Sequence, residues 1–466
     1  MKLAYNTWER PSFGKLIVFA LQQLLAIMAA TLVVPVITNS SIRAAIESGA
    51  VNWELTNQMS SAAALFGAGV GTLVYIFFTK KKSPVFLGSS FAFLGSMAAA
   101  FTGAASMALG YLGLIIGAVL AGLVYVVIAL IVKIAGVAWV NKLMPAVVIG
   151  PTVAIIGLSL AGNAIGDLKT ANAGGSVYVA IICGLVTLFV TMLCSVYGSK
   201  GLKLIPFIIG ILAGYLCAAI FTAIGNATNN PALLVIDFSS FDIFKAENIS
   251  VESFISLPSF TFVTAFGAFG EISGAYIATI AVAYVPVAFV VFAEHIADHK
   301  NISSIIEKDL LEDPGLSRTL LGDGVGSMAG AFFGGCPNTT YGESIGCVAI
   351  TGNASVATIF AAAIGAIVIS FITPFVAFVN SIPSCVMGGV CMALYGFIAV
   401  SGLKMVQKVN LEDNRNLFVV STILIAGIGG LTLSFGKITI TAVACALILG
   451  IIVNFILSGK KTTEKQ

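Results

Sequence analysis

"SPVFLGSSFAFLGS", residues 83–96, cannot be one ordinary membrane helix, yet it lies in a chain that is apolar almost throughout. Pro84 lacks an N–H and Gly88 is conformationally loose, so neither suits a continuous helix. Backbone left unpaired in hydrocarbon is too costly unless it lines a cavity or is buried in protein. A second stretch, "CPNTTYGESIG" at 336–346, repeats the pattern. Each has a proline, a few mostly β-branched or bulky residues, then Gly-x-Ser: Gly88-Ser89-Ser90 and Gly342-Glu343-Ser344. Each follows the second or third apolar run of its own half of the chain. Paired interruptions at corresponding places in two halves point to a transporter with a binding site near the midplane. A half-helix beginning at Gly88 or Gly342 would aim free N–H groups into that site. The competing reading is plain loops or glycine-packed helices.

The composition leaves no room for a soluble domain. Of 466 residues 58% are hydrophobic and 9% charged, and the mean hydropathy is +1.05. A soluble domain carries about 25% charged residues. Apolar stretches of roughly 20 residues, enough to cross a hydrocarbon core of about 30 Å, follow one another from Leu16 to Leu457. The first, Leu16 to Thr38, is too long for a signal-peptide core and reads as a retained span. The eight cysteines form no CxxC pair and read as buried small hydrophobes.

Spans fall near 16–38, 60–79, 111–132, 145–165, 176–197, 204–225, 273–297, 356–379, 383–403, 416–434 and 438–458. Two further apolar regions, 83–109 and 320–355, are broken by Gly, Ser and Pro. If each crosses in pieces, the total approaches about fourteen segments. With the N-terminus inside and sides alternating, only Arg43, Lys169, Lys245 and Lys437 of the 23 basic residues fall outside. The others, Lys2, Lys80, Lys81, Lys82, Lys203, Lys300, Lys308, Lys460, Lys461 and Lys465 among them, fall inside. That asymmetry places both termini in the cytoplasm. The longest outside loop, about 226–259, carries Asp237, Asp242, Glu247 and Glu252.

"VVFAEHIADHK", 290–300, holds both histidines, His295 and His299, with Glu294 and Asp298 between them. The carboxylates are spaced i, i+4 and share a helix face. The histidines share the adjacent face and read as cytoplasmic or helix-packing groups. Two readings stand level on periodicity. The helix leaves the membrane here, or it slides, since thirty-odd residues from Phe260 make roughly 50 Å, and Glu294 sits deep. Glu343, in a Gly/Ser-rich apolar setting, is a functional carboxylate by default. Asp323 reads as helix-terminal or solvated, and "KDLLEDPGLSR", 308–318, as a solvated connection. Two histidines without a third ligand make no zinc site, and no HExxH, GxSxG or P-loop pattern suggests an enzyme.

The stretches "LGSSFAF" (87–93), "FAEHIADH" (292–299), "KDLLEDPGLSR" (308–318), "PNTTYGESIGCVAIT" (337–351) and "IPSCVMGGVCMALYGFIAVSGLK" (382–404) resemble the nucleobase/ascorbate transporter family, also called nucleobase:cation symporter-2, and within it the bacterial uracil permease branch. The similarity runs in order from about residue 10 to 458. It implies an all-α polytopic protein of about fourteen segments in two inverted seven-segment repeats. The third segment of each repeat carries a short strand, here near 85–87 and 339–341. It implies a core domain (1–143 and 273–382), a gate domain (144–226 and 383–458), an extracellular connection (227–272) and a cytoplasmic tail (459–466). It further implies a homodimer in lipid, no cofactor, no nucleic-acid partner, and coupling to protons rather than sodium.

Carried over on matching positions, the resemblance implies that Glu294 accepts from the base's N–H groups and that Gly342 and Glu343 make the second pair of ring contacts. Phe91 would pack on the ring, Tyr341 would line the site, and Tyr395 would face it from the gate. Carboxylates then take the donors of uracil, backbone N–H groups take its carbonyls, and a stacked aromatic tolerates any base. Asp298 stands where the branch usually has histidine, Ser344 where asparagine is common, and Gln23 in "ALQQLLAI" (20–27) where histidine is frequent. Asp298 is the expected carrier of the coupled proton, with His299 the alternative. The expected function is proton-coupled uracil uptake at the cytoplasmic membrane. A xanthine or other purine permease is the alternative, and an anion exchanger of the same fold a distant one.

Overall fold

A computed structural model describes residues 3–171, 174–245, 249–435 and 438–458. Lys2, Glu247, Lys437 and the tail 459–466, with Lys460, Lys461 and Lys465, lie outside the described residues. The first half of the chain forms α1 (Phe13–Glu47), α2 (Ser61–Phe78), α3 (Leu94–Thr102), α4 (Met107–Ala135), α5 (Ala138–Leu143), α6 (Ala146–Ser159), α7 (Ala161–Leu168), α8 (Val177–Tyr197) and α9 (Pro206–Thr228). The second forms α10 (Thr261–Ala265), α11 (Gly274–Ile306), α12 (Leu316–Gly334), α13 (Gly342–Thr351), α14 (Val356–Ile369), α15 (Thr373–Asn380), α16 (Ser384–Val406), α17 (Asn414–Ile428) and α18 (Ala442–Ser458). The strands are β1 (Leu87–Ser89), β2 (Asn338–Thr340), β3 (Leu433–Phe435) and β4 (Ile438–Ile440). Among the described residues, eight helical stretches are long and apolar enough to cross a membrane, with α6 and α7 counted together. The chain is a multi-pass helical membrane protein.

The two interrupted stretches meet. β1 and β2 pair antiparallel, with Leu87 opposite Thr340, Gly88 opposite Thr339 and Ser89 opposite Asn338. The backbone groups that this two-stranded sheet leaves over are met by side chains and neighbours, as burial requires. Thr72 Oγ1 accepts from Leu87 N at 2.9 Å, and Asn338 Nδ2 donates to the Gly67 carbonyl at 3.1 Å. Ser90 N donates to the Pro337 carbonyl at 2.9 Å. Gly88 is required here because a Cβ would stand 2.3 Å from the Tyr341 ring. Tyr341 is held across it by a 2.8 Å hydrogen bond from its hydroxyl to the Ser89 carbonyl.

Helices pack in two groups. Helices α1, α2, α11 and α12 pack against the β1–β2 pair, with α4 against α11 and α12 and α14 against α1 and α2. Helices α6, α7, α8, α9, α16, α17 and α18 pack on one another. The groups meet where α11 touches α6 and α18, and where α1 touches α9 and α16.

Several sequence expectations need correction. The region 320–355 is not broken throughout, because α12 is continuous to Gly334. Its glycines serve a close crossing instead. A Cβ at Gly67 of α2 would lie 2.5 Å from the Gly330 carbonyl oxygen. The first half-helix does not begin at Gly88, which Tyr341 pins in β1, but after Ser90, in a 3₁₀ turn at Phe91–Phe93. The strands lie at 87–89 and 338–340, not 85–87 and 339–341. The single span 356–379 is two helices, α14 and α15, with Ser370, Phe371 and Ile372 between them. The stretch to 434 gives way after Ile428 to a β3–β4 hairpin.

Candidate functional site

Helix α11 continues to Ile306, so Glu294 lies only four residues, about 6 Å, past its midpoint. The helix does not end at the glutamate. Glu294 and Asp298, one turn apart, face a cavity of about 330 Å³. Phe91, Tyr341, Gly342 and Glu343 line the same cavity. Chain segments some 250 residues apart are brought to it by the β1–β2 pairing.

Each polar wall has a defined state. Asp298 Oδ2 accepts from Thr340 Oγ1 at 2.7 Å, which ties α11 to the end of β2. Glu343 stands in the first turn of α13, on the cavity wall. Glu294 makes no side-chain hydrogen bond with another described residue. Its carboxylate is therefore open to a donor brought in from outside. The first N–H groups of a helix lack intrahelical acceptors, and those of α13 begin at Gly342 on the cavity wall. The hydroxyls of Ser90 and Thr339 are buried, line the cavity and find no partner among the described residues.

The aromatic residues divide. Phe91 forms part of the wall, and Tyr395 of α16 meets it edge-on, with ring centroids 5.5 Å apart. Tyr395 is buried behind Phe91, while Phe397, Ile398 and Ser401 of the same helix line the cavity. Ser195, Lys203 and Asn301 also line it.

The two histidines face away from the cavity. His299 Nε2 lies 2.7 Å from the Tyr75 hydroxyl, and its Nδ1 donates to the His295 carbonyl at 2.8 Å. His295 Nδ1 is 2.7 Å from Asp323 Oδ2, and both side chains are fully buried. Asp323 is thus not helix-terminal or solvated. It lies seven residues inside α12, and the imidazole opposite supplies the partner that burial demands. The connection 308–318 keeps exposed charge but buries Leu310 and Leu316. Lys82 and Lys308 both bond Asp313 there, Lys308 at 2.9 Å.

Sequence reasoning noted Gln23 and Ser344 singly and missed that they touch. Gln23 Nε2 donates to the Ser344 carbonyl at 3.2 Å and to its hydroxyl oxygen. That oxygen also accepts from Phe86 N at 3.1 Å. The node joins α1, the entry to β1 and the first turn of α13. Thr340 on Asp298 was missed too, although it lies inside the quoted motif. Among the described residues, no group of three or more His, Cys, Asp or Glu is placed to hold a metal ion.

The solved transmembrane domain of the cyanobacterial bicarbonate transporter BicA superposes with a TM-score of 0.57 at 13% identity, covering 95% of this chain and 98% of that one. SLC26A9 superposes at 0.61 with 10% identity, covering 98% of this chain and 67% of that one. These likenesses show the fold alone. In sequence, the chain is 37% identical over 455 residues to the uracil permease of Bacillus caldolyticus, covering 97% of this chain and 94% of that one. It is 35% identical over 452 residues to the uracil permease of Escherichia coli K12, covering 96% and 92%. It is 30% identical over 467 residues to the putative pyrimidine permease RutG of the same strain, covering 97% and 91%. A model described as "Permease family" matches residues 14–435. With that match spanning the strand pair and every wall of the carboxylate cavity, the chain belongs to this permease family, that of the nucleobase/ascorbate transporters.

Proposed function

We propose that this permease carries uracil, or a closely related nucleobase, into the cell together with protons. The observation that carries the reading is the pairing of two carboxylates, Glu294 and Glu343, around one cavity that also offers an aromatic wall and an open helix start. A pyrimidine with N–H donors and C=O acceptors meets acceptors at the carboxylates and donors at the first N–H groups of α13. Phe91 supplies the stacking face. The uracil permeases among its relatives point to the same substrate.

The anion reading fares poorly at this cavity. Three carboxylates, Glu294, Asp298 and Glu343, line it against one ammonium, Lys203. An anion would face net repulsion at close range. Asp298, where the branch usually has histidine, keeps the purine alternative open to test.

The transport cycle we propose is alternating access between the two packed groups of helices. The core (1–143 and 273–382) would hold the base, and the gate (144–226 and 383–458) would be the body it moves against, with 227–272 as the outer connection. This division is supported by contacts that concentrate within each group and thin between them. Counting β1–α3 and β2–α13 as one crossing each, α6 and α7 as one, and leaving out α5, α10 and α15, supports fourteen segments in two inverted repeats. Ser195, Lys203 and Asn301 lie at the end that charge asymmetry assigns to the cytoplasm. The cavity is thus read as inward-facing. Asp298, bonded to Thr340 and one turn from Glu294, is the proposed proton carrier. A homodimer in lipid completes the reading.

The experiment is binding of uracil, thymine, cytosine and xanthine to the purified protein at an acidic and a neutral pH, with labelled uracil uptake competed by each. Uracil is expected to bind tightest. Xanthine binding tighter than uracil would replace the reading with the purine one, and no binding by any base would discard it.

A further inference from the structure

Phe91 is the wall of two cavities. Beyond it lies a second space of about 240 Å³, bounded by Ser41, Gly95, Ser159, Asn163 and Thr441 among others. Its position follows from three elements that run side by side. Along α1 the carboxylate cavity touches Ala26 and the second touches Ser41, fifteen residues or about 22 Å further on. Along the β1–α3 arm the order is Ser90, then Gly95. Along α6 it is Val153, then Ser159. All three advance in the same sense, so the second cavity lies on the far side of Phe91 from Lys203.

Its walls come half from each helix group. Ser41 and Gly95 belong to the elements around the strands. Ser159, Asn163 and Thr441 belong to the other group. At Gly95 the space is open, since a Cβ there would meet only Thr441 Cγ2, at 3.6 Å. No charged side chain lines it. The polar side-chain groups are one amide, on the exposed Asn163, and the hydroxyls of Ser41, Ser159 and Thr441, of which Ser159 donates to the Ile156 carbonyl at 3.0 Å. The Asn163 side chain makes no hydrogen bond with another described residue. The shared wall is an aromatic ring, braced edge-on by Tyr395. An uncharged amide and hydroxyl lining with an aromatic wall suits a planar, neutral ring with both donors and acceptors, and does not suit an ion.

We propose that this second cavity is a staging site for the nucleobase on the outer side of Phe91, occupied before the base reaches Glu294 and Glu343. The proposal rests on the nucleobase reading of the carboxylate cavity. Asn163 is the recognising group, and the Phe91–Tyr395 contact is the partition between the two stations.

Two variants test it, each followed by calorimetric uracil binding to purified protein and by uptake into cells over a range of external uracil. Asn163→Leu removes the amide at similar bulk. Gly95→Val fills the gap. For Asn163→Leu, uracil binding within twofold of wild type is expected, with the half-saturating concentration for uptake raised at least fivefold. For Gly95→Val, retained binding with uptake reduced tenfold or more is expected. Wild-type half-saturation in Asn163→Leu overturns the proposal, even if Gly95→Val loses uptake, because space alone would then matter. Loss of binding and uptake in equal measure in folded Asn163→Leu also overturns it, since one site would then account for both. If Gly95→Val fails to fold, Asn163→Leu decides alone. Wild-type protein that binds no nucleobase counts instead against the reading of the carboxylate cavity.

Discussion

Gln23 and Ser344, 321 positions apart, are bonded directly to each other beneath the first turn of α13. Both side chains are buried. The contact joins α1 to the first turn of α13. Ser344 Oγ accepts from Gln23 Nε2 and from Phe86 N, so Ser344→Ala removes the side-chain acceptor of the buried Phe86 N–H and leaves Gln23 Nε2 with the residue-344 carbonyl alone. Each buried unsatisfied group costs about 1–3 kcal/mol. Ser344→Ala is expected to lower thermal stability and to weaken uracil binding about tenfold, because Glu343 is its chain neighbour. Gln23→Leu should cost less when Ser344 is already alanine. A double-mutant cycle on uracil affinity is expected to show a coupling of about 0.5–3 kcal/mol. Additive single effects would separate the pair.

The buried His295–Asp323 pair gives a stability prediction. Removing one partner leaves an uncompensated buried polar group or charge, at about 3–5 kcal/mol, whereas replacing both by apolar residues of similar volume is often near neutral. Asp323→Ala and His295→Ala are each expected to lower the melting temperature sharply. His295→Leu with Asp323→Leu together should recover most of it. If the double variant is as unstable as either single one, the pair is not what holds α11 to α12.

Asp313 serves as a control for pH dependence. Hydrogen bonds from Lys308 and then Lys82 hold its carboxyl at about 2, below the ordinary carboxylate value. A folded value below the unfolded one means the contribution to stability is complete above about pH 4 and is lost only as pH falls toward about 2. Asp313→Asn is therefore expected to leave the pH profile of uptake unchanged between about pH 5 and 8. A shifted profile would draw this exposed connection into proton coupling.

Much of the site was legible because its chemistry is local. Gly88 and Gly342 mark the interruptions, and Glu294 and Asp298 share a face by spacing alone. What was not legible depends on contacts between distant segments. The glycines of α12 look like breaks in the sequence and are instead the floor of a helix crossing, a distinction that only the facing backbone of α2 can make. Asp323 looks like a solvated terminus until His295 is placed opposite it. The helical start moved from Gly88 to Phe91 because a side chain from the other half, Tyr341, occupies the space above the glycine.

Glu294 and Glu343 carry the recognition prediction. Glutamine at either position keeps the size but presents a donor where the base also has a donor. Losing a hydrogen bond to a charged group costs roughly 1.5–3 kcal/mol, about ten- to a hundredfold in affinity. Calorimetry on Glu294→Gln and on Glu343→Gln is expected to show such losses. Glu294 should show a clean effect, because its carboxylate makes no hydrogen bond with another described residue. Unchanged uracil affinity in both variants would remove the carboxylates from the site.

The proton carrier is the last prediction, and geometry separates its two candidates. Asp298 opens on the carboxylate cavity, one turn from Glu294, and accepts a hydrogen bond from Thr340. A proton arriving by water through that cavity reaches Asp298 directly. His299 is fully buried on the adjacent face of the helix, off the cavity wall, with one ring nitrogen donating to the His295 carbonyl and the other against Tyr75. Protonating it would need a route through packed helices. One proton moved inward is worth about 2.3 kcal/mol per 100 mV, enough for roughly fiftyfold accumulation of a neutral solute. In proteoliposomes with an imposed pH gradient, Asp298→Asn is expected to bind uracil and exchange it across the membrane but not to accumulate it. His299→Ala is expected to keep accumulation while losing thermal stability, because the bond between α11 and Tyr75 of α2 is lost and Tyr75 keeps only Ser83. Accumulation that persists in Asp298→Asn and disappears in a folded His299→Ala protein would move the proton to the histidine.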